Sequence, residues 1–458
     1  MGEQMEIKWQ IFYGVDGWEE KVSDLEETPL TLAGVAGENI TFADNLFTGR
    51  VPGEAIEKGV FFGEFDLDED TVLPFGFGGC YFYEVFLNGK SILDRRESGN
   101  KPYFPPRAEN FTVPGFCVKG KNLLTVVMES GTGEPLRLAF RVRSEYNLRK
   151  CTPSRENFAE LLNSEKYPPE KTLSRYEAEQ LIQNGVLMMR NTVFNPFAKA
   201  PELEAEKVQA LEKEYPILYF YEKALDRIKE EVPNAVPGEE EVFIWHLYNM
   251  GYIIKCAQGC FGIDVCHRRA AELESLLDFI LTTHNHCDHH ELPLFKAMAQ
   301  NKKPVVTNFY PAPGFHRPPA ELEFNTIKVA TRENDHNKTL QKFVTSYLVT
   351  LPNGCTIFHA GDTCSAQQLE PGCAPDIYIP HPRVSLKVPE AVAKFRPATV
   401  LYSHFLEMGH TPPTPWFAVP YDLLDEERQG IEKEFDTLTF APLWGEKLVW
   451  NTGEKRFI

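Results

Sequence analysis

The chain has 458 residues, of which 43% are hydrophobic and 25% are charged, and its formal net charge is −19 at pH 7. This length exceeds one ordinary hydrophobic core, so we expect two or three globular domains. The acidic charge counts against a nucleic-acid partner, because proteins that bind phosphate backbones usually carry a basic surface.

Targeting signals are not evident in the sequence. Residues 1–8 lack the basic and apolar regions of a secretion signal, and no apolar run is long enough to predict a transmembrane helix. The chain contains 10 cysteines, which do not have the paired spacing of a disulfide framework. We therefore expect reduced thiols, a cytoplasmic location and no membrane partner.

Residues 1–145 have the pattern of an all-β domain. Asn88-Gly89 is a strong hairpin signal, because both residues tolerate positive φ. Short strands separated by turn residues predict a β-sandwich. The strand candidates are residues 60–67, 81–87, 123–128 and 136–142.

Two segments of this region, 85–89 and 120–126, resemble the galactose-binding-like jelly roll attached to many glycoside hydrolases. The resemblance covers about a third of the chain. It implies either sugar binding through exposed aromatic side chains or a packing and oligomerisation role. The second alternative is favoured because no binding site is visible in the sequence.

Residues 146–238 are predicted to form a helical connector. Ser174 and Glu177 form a capping box at the start of one helix, and Pro216 separates two further helical stretches, 202–215 and 217–232. The sequence leaves three roles open for this connector: a linker, a contact for a homo-oligomer, or a lid over an active site.

A group of potential metal ligands follows a predicted buried strand at 276–282, namely His284, His286, Asp288 and His289. Residues two apart on a strand face the same side, so His284 and His286 can hold one ion. Asp288 and His289 lie where the chain can turn towards a second ion. Imidazole and carboxylate ligands suit Zn, Mn and Fe, and the spacing therefore predicts a metal site.

The H-x-H-x-D-H pattern of residues 284–289 is the signature of the metallo-β-lactamase superfamily, which the chain resembles across residues 240–410. The resemblance implies an αβ/βα four-layer fold for residues 239–458, with active-site loops at one edge of two sheets. The expected fold class of the whole chain is α+β multidomain. The resemblance also implies that Asp264 supports the ligand loops without binding metal.

Three further ligands are expected at strand ends. His336 follows a predicted strand, and it is preferred over His316, which lies in a proline-rich loop with no strand before it. Asp362 lies in a Gly-Asp-Thr triplet after a predicted hairpin, and His404 ends a later strand. By resemblance, one cation would be held by His284, His286 and His336, the other by Asp288, His289 and His404, with Asp362 between them.

This ligand set implies a metal-dependent hydrolase with two divalent cations, expected to be Zn²⁺, with Mn²⁺ or Fe as alternatives. A metal-bridging hydroxide, oriented by Asp288 as the catalytic carboxylate, would attack an ester, lactone or phosphoester. The jelly-roll resemblance favours a small, carbohydrate-derived substrate. The region from Trp245 onward also looks like the ascorbate-phosphate lactonase branch of the superfamily.

Other functions remain open at this point. One is a phosphodiesterase or nuclease similar to the tRNA 3′-processing relatives, against which the acidic charge counts. Another is a binding protein with a vestigial metal site. A third is a di-iron oxidase, but such relatives typically carry Glu where this chain has His286.

Three residues are predicted to contact the substrate. His381 and Arg383 follow a strand predicted at 376–379, and His410 lies shortly after His404. Loops after strands at the active edge should line the pocket. The Arg383 guanidinium would suit a carboxylate or phosphate group of the substrate.

Overall fold

The computed structural model describes residues 5–14, 37–96, 106–108, 111–142, 191–382, 386–409 and 421–458, with residues 175, 178–179, 182–183, 185–186, 189 and 419. The chain divides into two compact units, the first of Met1–Thr152 with His410–Pro415 and the second of Pro153–Gly409 with Trp416–Ile458. Helices predicted to form the connector therefore belong to the second unit. No helix among the described residues is both long and apolar enough to cross a membrane.

The described part of the first unit contains ten strands: β1 (Lys8–Tyr13), β2 (Glu38–Ile40), β3 (Leu46–Thr48), β4 (Lys58–Leu67), β5 (Thr71–Gly79), β6 (Phe82–Leu87), β7 (Lys90–Asp94), β8 (Phe111–Cys117), β9 (Gly120–Glu129) and β10 (Arg137–Val142). They form two antiparallel sheets, with the orders β2-β1-β4-β9-β6-β7 and β3-β10-β5-β8. Every strand predicted in this region is present.

One apolar core joins the inner faces of these two sheets. Phe61 and Val126 of the first sheet and Phe75 and Phe140 of the second are all buried in it. Alternate residues of each strand enter the core, as the period of two requires. The predicted hairpin joins β6 to β7, and Asn88 and Gly89 have φ values of 50° and 75°. The likeness to a galactose-binding module remains a prediction.

The second unit contains fourteen described strands: β11 (Glu241–His246), β12 (Tyr252–Cys256), β13 (Gly259–Ile263), β14 (Phe279–Leu281), β15 (Val305–Val306), β16 (Ala320–Phe324), β17 (Ile327–Asn334), β18 (Val344–Thr350), β19 (Thr356–His359), β20 (Ile377–Ile379), β21 (Thr399–Leu401), β22 (Leu438–Phe440), β23 (Lys447–Asn451) and β24 (Arg456–Phe457). The helices with both ends in the described residues are α1 (Asn191–Ala198), α2 (Ala205–Glu214), α3 (Ile217–Asn234), α4 (Leu292–Gln300), α5 (Val388–Phe395) and α6 (Tyr421–Phe435). Two 3₁₀ helices cover Ala270–Leu276 and Ala366–Gln368.

Two seven-stranded mixed sheets form the centre of this unit, with the orders β15-β14-β13-β12-β11-β23-β24 and β16-β17-β18-β19-β20-β21-β22. Ile244 and Ile263 of the first sheet and Ile357 and Leu401 of the second share one buried core between the sheets. The intervening residues of the strands, such as Trp245, face the opposite way and pack with helical residues. The layers therefore run helix, sheet, sheet, helix.

The helical region differs from its prediction in extent: α1 is not among the predicted helices, α2 is shorter than the predicted 202–215, and α3 continues to Asn234. Pro216 is the residue before α3, as its role as a break between two helices predicts. Ser174 and Glu177 lie outside the described residues. Arg175 is buried and forms an ion pair with Glu446, whose Oε1 lies 2.8 Å from the guanidinium Nη1. This contact attaches the start of the helical region to the C-terminal part of the same unit.

The strand before the ligand motif is shorter than predicted. A 3₁₀ helix ends at Leu276, and β14 covers only Phe279–Leu281. Between them, the Asp278 carboxylate accepts a hydrogen bond from the backbone N–H of Cys260. An apolar run alone cannot show this, because a short helix and a short strand bury similar side chains.

Candidate metal centre

The potential ligands lie at the carboxyl ends of strands in both sheets. β17 is antiparallel to β18, and β18 is antiparallel to β19, so β17 and β19 run in the same direction. β20 and β21 are parallel to β19. The loops after these four strands therefore leave one edge of the second sheet, while the H-x-H-x-D-H loop follows β14 of the first. The ligands meet where these two edges face each other.

The first group of ligands comprises His284, His286, His336 and Asp362, and one nitrogen or oxygen of each lies within 4.8 Å of the others. His284 Nε2 and His286 Nδ1 are 3.0 Å apart. His336 Nε2 lies 3.4 Å from Asp362 Oδ2. His316 is not part of this group, although its ring is buried.

The second group comprises Asp288, His289 and His404. Asp288 Oδ2 lies 2.7 Å from His404 Nε2 and 3.3 Å from His289 Nε2. His404 has a φ of 55°, a backbone conformation that turns the chain sharply after β21. This turn brings its ring to the Asp288 carboxylate.

Asp362 lies between the two groups. Its Oδ2 faces His336 of the first group, while its Oδ1 lies 3.2 Å from His289 Nε2 of the second. Neither that oxygen nor that nitrogen makes a hydrogen bond, although both are buried. Two buried polar atoms that face each other without a hydrogen bond fit the position of ligands around a common ion.

Three of the separations between potential ligand atoms also fit a metal centre. Ligands at Zn–N distances of about 2.0–2.1 Å in a tetrahedral site are roughly 3.3–3.4 Å apart. The pair His336–Asp362 is at 3.4 Å, His289–Asp288 at 3.3 Å and His289–Asp362 at 3.2 Å. Nitrogen and oxygen donors of this kind suit Zn²⁺, Mn²⁺ or Fe, so the residues fit the predicted cations.

Burial and charge set the protonation of the ligands. Burial holds the pKa of His284 well below its ordinary value, so its imidazole is neutral and able to bind a cation. Burial alone would raise the pKa of Asp362, but the positive charge that the surrounding imidazoles carry when protonated, that of His289 above all, holds it well below its ordinary value. Its carboxyl group is therefore ionised, which is the form that a metal requires.

The Asp264 side chain supports the loop of residues 284–289 through hydrogen bonds. Its carboxylate accepts hydrogen bonds from the backbone N–H and the hydroxyl of Thr283, at 2.7 and 2.8 Å. His289 Nδ1 lies 2.9 Å from Asp264 Oδ2. The buried carboxylate thus fixes both the start of the loop and one of its ligands, as the family resemblance predicts for a supporting residue.

Phe343 is an aromatic residue of the centre that sequence reasoning missed. Its ring centroid lies 5.5 Å from that of His284, 5.0 Å from His286 and 6.3 Å from His336. The half-buried ring forms an apolar wall beside the first group. Its position depends on the hydrogen bond from the Thr345 N–H to the Thr283 carbonyl, a long-range contact that no local pattern reveals.

The residues predicted to contact substrate have different outcomes. His381 lies in the centre, in a third group of potential ligands with Asp362 and His404. Arg383 and His410 lie outside the described residues. Their roles remain predictions.

Comparison with solved structures finds several similar folds. The chain is similar to Igni18, described as a novel metallo hydrolase from the archaeon Ignicoccus hospitalis, at 16% identity and a TM-score of 0.37 over 46% of this chain and 99% of that one. It is also similar to CmlA, a diiron β-hydroxylase from Streptomyces venezuelae, at 15% identity and a TM-score of 0.35 over 47% and 54%. A third similar structure is a putative Zn-dependent hydrolase of the metallo-β-lactamase superfamily from Thermotoga maritima, at 12% identity and a TM-score of 0.28 over 40% and 85%.

Neither protein-family models nor curated proteins gave a match to the chain.

Proposed function

We propose that the chain is a dinuclear metal-dependent hydrolase of the metallo-β-lactamase superfamily, acting on a small-molecule ester, lactone or phosphoester. The observation that carries the proposal is the position of Asp362. One of its oxygens faces the first histidine group and the other faces the second. A carboxylate placed in this way suits a bridge between two cations.

The protein residues divide the work between them. Two divalent cations held here would activate a shared water and polarise the substrate oxygen. His284, His286 and His336 would hold one of them, while Asp288, His289 and His404 would hold the other, with Asp362 shared. Asp288 is the candidate catalytic carboxylate, because its side chain remains 19% exposed while His289 beside it is fully buried. It can therefore bind and orient the attacking water.

The open side of the centre indicates where substrate would enter. His286 and Phe343 are half-buried there, and the His336 side chain is 15% exposed. An apolar ring beside exposed ligand edges suits a substrate with a hydrolysable polar group and an apolar or sugar-like neighbour. We favour a carbohydrate-derived substrate, in line with the sequence resemblance of the first unit.

The free thiols of the cysteines in the described residues support the proposed cytoplasmic location.

Metal analysis joined to a substrate panel tests this function. Protein purified without chelators should contain about two divalent cations per chain. It should hydrolyse at least one class among lactones, carboxylic esters and phosphodiesters, and chelation should abolish that activity until cations are restored. Protein that contains no metal and cannot be reconstituted with Zn²⁺, Mn²⁺ or Fe²⁺ would overturn the proposal. Activity on phosphodiesters alone would favour the phosphodiesterase alternative.

A further inference from the structure

Among the described residues grouped as potential ligands, His381 is the one imidazole outside the seven predicted ligands. It follows β20, which pairs with β19, the strand before Asp362, and with β21, the strand before His404. Its Nε2 lies 3.7 Å from Asp362 Oδ2. Asp362, His381 and His404 together form a group whose ligand atoms lie within 4.8 Å of one another.

The setting of the His381 ring suits a ligand better than a substrate contact. Only 3% of the residue is exposed, which leaves little surface for a substrate to reach. One face of the ring is stacked on His404, with the centroids 4.0 Å apart and the planes 7° from parallel. The stacked rings direct their Nε2 atoms at carboxylates of the centre, His404 at Asp288 and His381 at Asp362.

His404 therefore belongs to two overlapping sets of ligands. One set is the second group, Asp288, His289 and His404, and the other set is Asp362, His381 and His404. Each set contains at least one imidazole besides His404 and one carboxylate, a donor combination that holds divalent transition metals.

We propose that the second cation has two alternative ligand sets that share His404, and that His381 is an eighth metal ligand of the centre. This inference rests on the proposed function. When Asp288 turns towards water or substrate, His381 and Asp362 can keep the cation in place. Asp288, which would orient the attacking water, is then not essential for metal retention. We expect this ligand role for His381 in place of the substrate contact predicted from the sequence.

The test is the metal content of four variants of the full chain, measured by elemental analysis after gel filtration. Asp288→Ala and His381→Ala should each retain about two cations, because the other set remains. Asp288→Ala combined with His381→Ala leaves only His289, His404 and the shared Asp362 for the second cation, so it should lose that cation to a chelator that leaves Asp288→Ala with two. His404→Ala should also hold the second cation more weakly than the unaltered chain, because it removes a member of both sets. The first cation, which these variants keep, reports an intact first group and a folded unit.

Two results would overturn the inference. Either Asp288→Ala alone falls to one cation, or the double variant holds its second cation against the chelator as well as Asp288→Ala alone does. Both results leave the proposed function standing, since the unaltered chain would still contain two cations. Failure of the proposed function appears separately, as the absence of metal from the unaltered chain. If the double Ala variant does not fold, Asp288→Asn with His381→Gln preserves side-chain volume and should show the same loss in a titration with Co²⁺, followed by visible absorption.

Discussion

Asp264 Oδ2 lies 2.9 Å from His289 Nδ1, and both side chains are fully buried. His289 donates its Nδ1–H to this carboxylate, which leaves Nε2 to face Asp288 and Asp362. Supporting partners of this kind fix the tautomer and direction of a ligand imidazole. The affinity of the second group for a cation should therefore depend on a residue that never contacts it.

Replacement of Asp264 by Asn should weaken binding of one cation by about 10–100-fold, because the amide is a poorer acceptor for the His289 N–H. Competition with a chromogenic chelator measures this change. Asp278→Asn is the matched control, since that carboxylate also accepts a backbone N–H, from Cys260, but makes no hydrogen bond to a potential ligand in the described residues. Equal chelator resistance in the two variants would contradict the role given to Asp264.

His336 and His316 can be separated by their effect on metal content. His336→Ala removes a nitrogen 3.4 Å from the Asp362 carboxylate and should lower the content by one cation per chain. His316→Ala removes a buried ring that lies 6.3 Å from the Tyr347 ring, and it should leave the metal content unchanged. Elemental analysis distinguishes the two. The opposite pattern would place the ligand in the proline-rich loop.

Phe343→Ala should weaken binding of the first cation by roughly tenfold, because water gains access to three imidazoles that the ring now shields. Phe343→Leu keeps an apolar group at the same place and should stay close to the unaltered chain. Chelator competition gives both affinities. An Ala variant with unchanged affinity but a raised KM would instead mark the ring as a substrate contact.

His267 should make the stability of the second unit depend on pH. Its ring is stacked on Tyr221, its Nε2 faces the Tyr221 carbonyl, and its Nδ1 accepts the Arg269 N–H. Burial, with the charges of Arg269 and Arg268, lowers the pKa of His267 to about 3, despite a Glu222 carboxylate oxygen 3.9 Å away. The buried ring is therefore neutral near pH 7.

The sign of the pH effect follows from this lowered pKa. The unfolded chain takes up the proton near pH 6.5 and the folded chain only near pH 3, so the stabilising contribution is full above about pH 6.5 and is lost as the pH falls. At about pH 5 the free energy of unfolding should be lower by roughly 2 kcal/mol because of His267. Urea unfolding of the unaltered chain and of His267→Gln, each at about pH 7 and about pH 5, measures this loss of stability. A difference between the two proteins that does not change with pH would refute the expectation.

The strand ends that carry the potential ligands could be predicted because a local strand pattern there coincides with a motif resemblance. Buried strands before His336 and His404 follow from apolar runs, and the hairpin before Asp362 follows from its Pro-Asn-Gly turn. The seven predicted ligands lie together in the structure. Their role as ligands remains a proposal that metal analysis decides.

Phe343 and the burial of His381 could not be predicted in the same way. Both depend on how strands distant in sequence pair, which periodicity within one segment does not encode. Strands β5 and β8 of the first unit were missed for a related reason. Their proline and glycine residues, such as Pro74 and Pro114, argue against a strand unless the neighbouring strands are known.

The ligand loops leave both central sheets, so bound cations would join one sheet to the other at their shared edge. An ion that binds only the folded chain stabilises it in proportion to the logarithm of its free concentration. The same metal supply that the proposed hydrolysis requires would then also lower the fraction of unfolded chain, which is the form that proteases cleave. A cell short of the metal would lose this protein by degradation as well as by inactivity, so its abundance should follow metal availability.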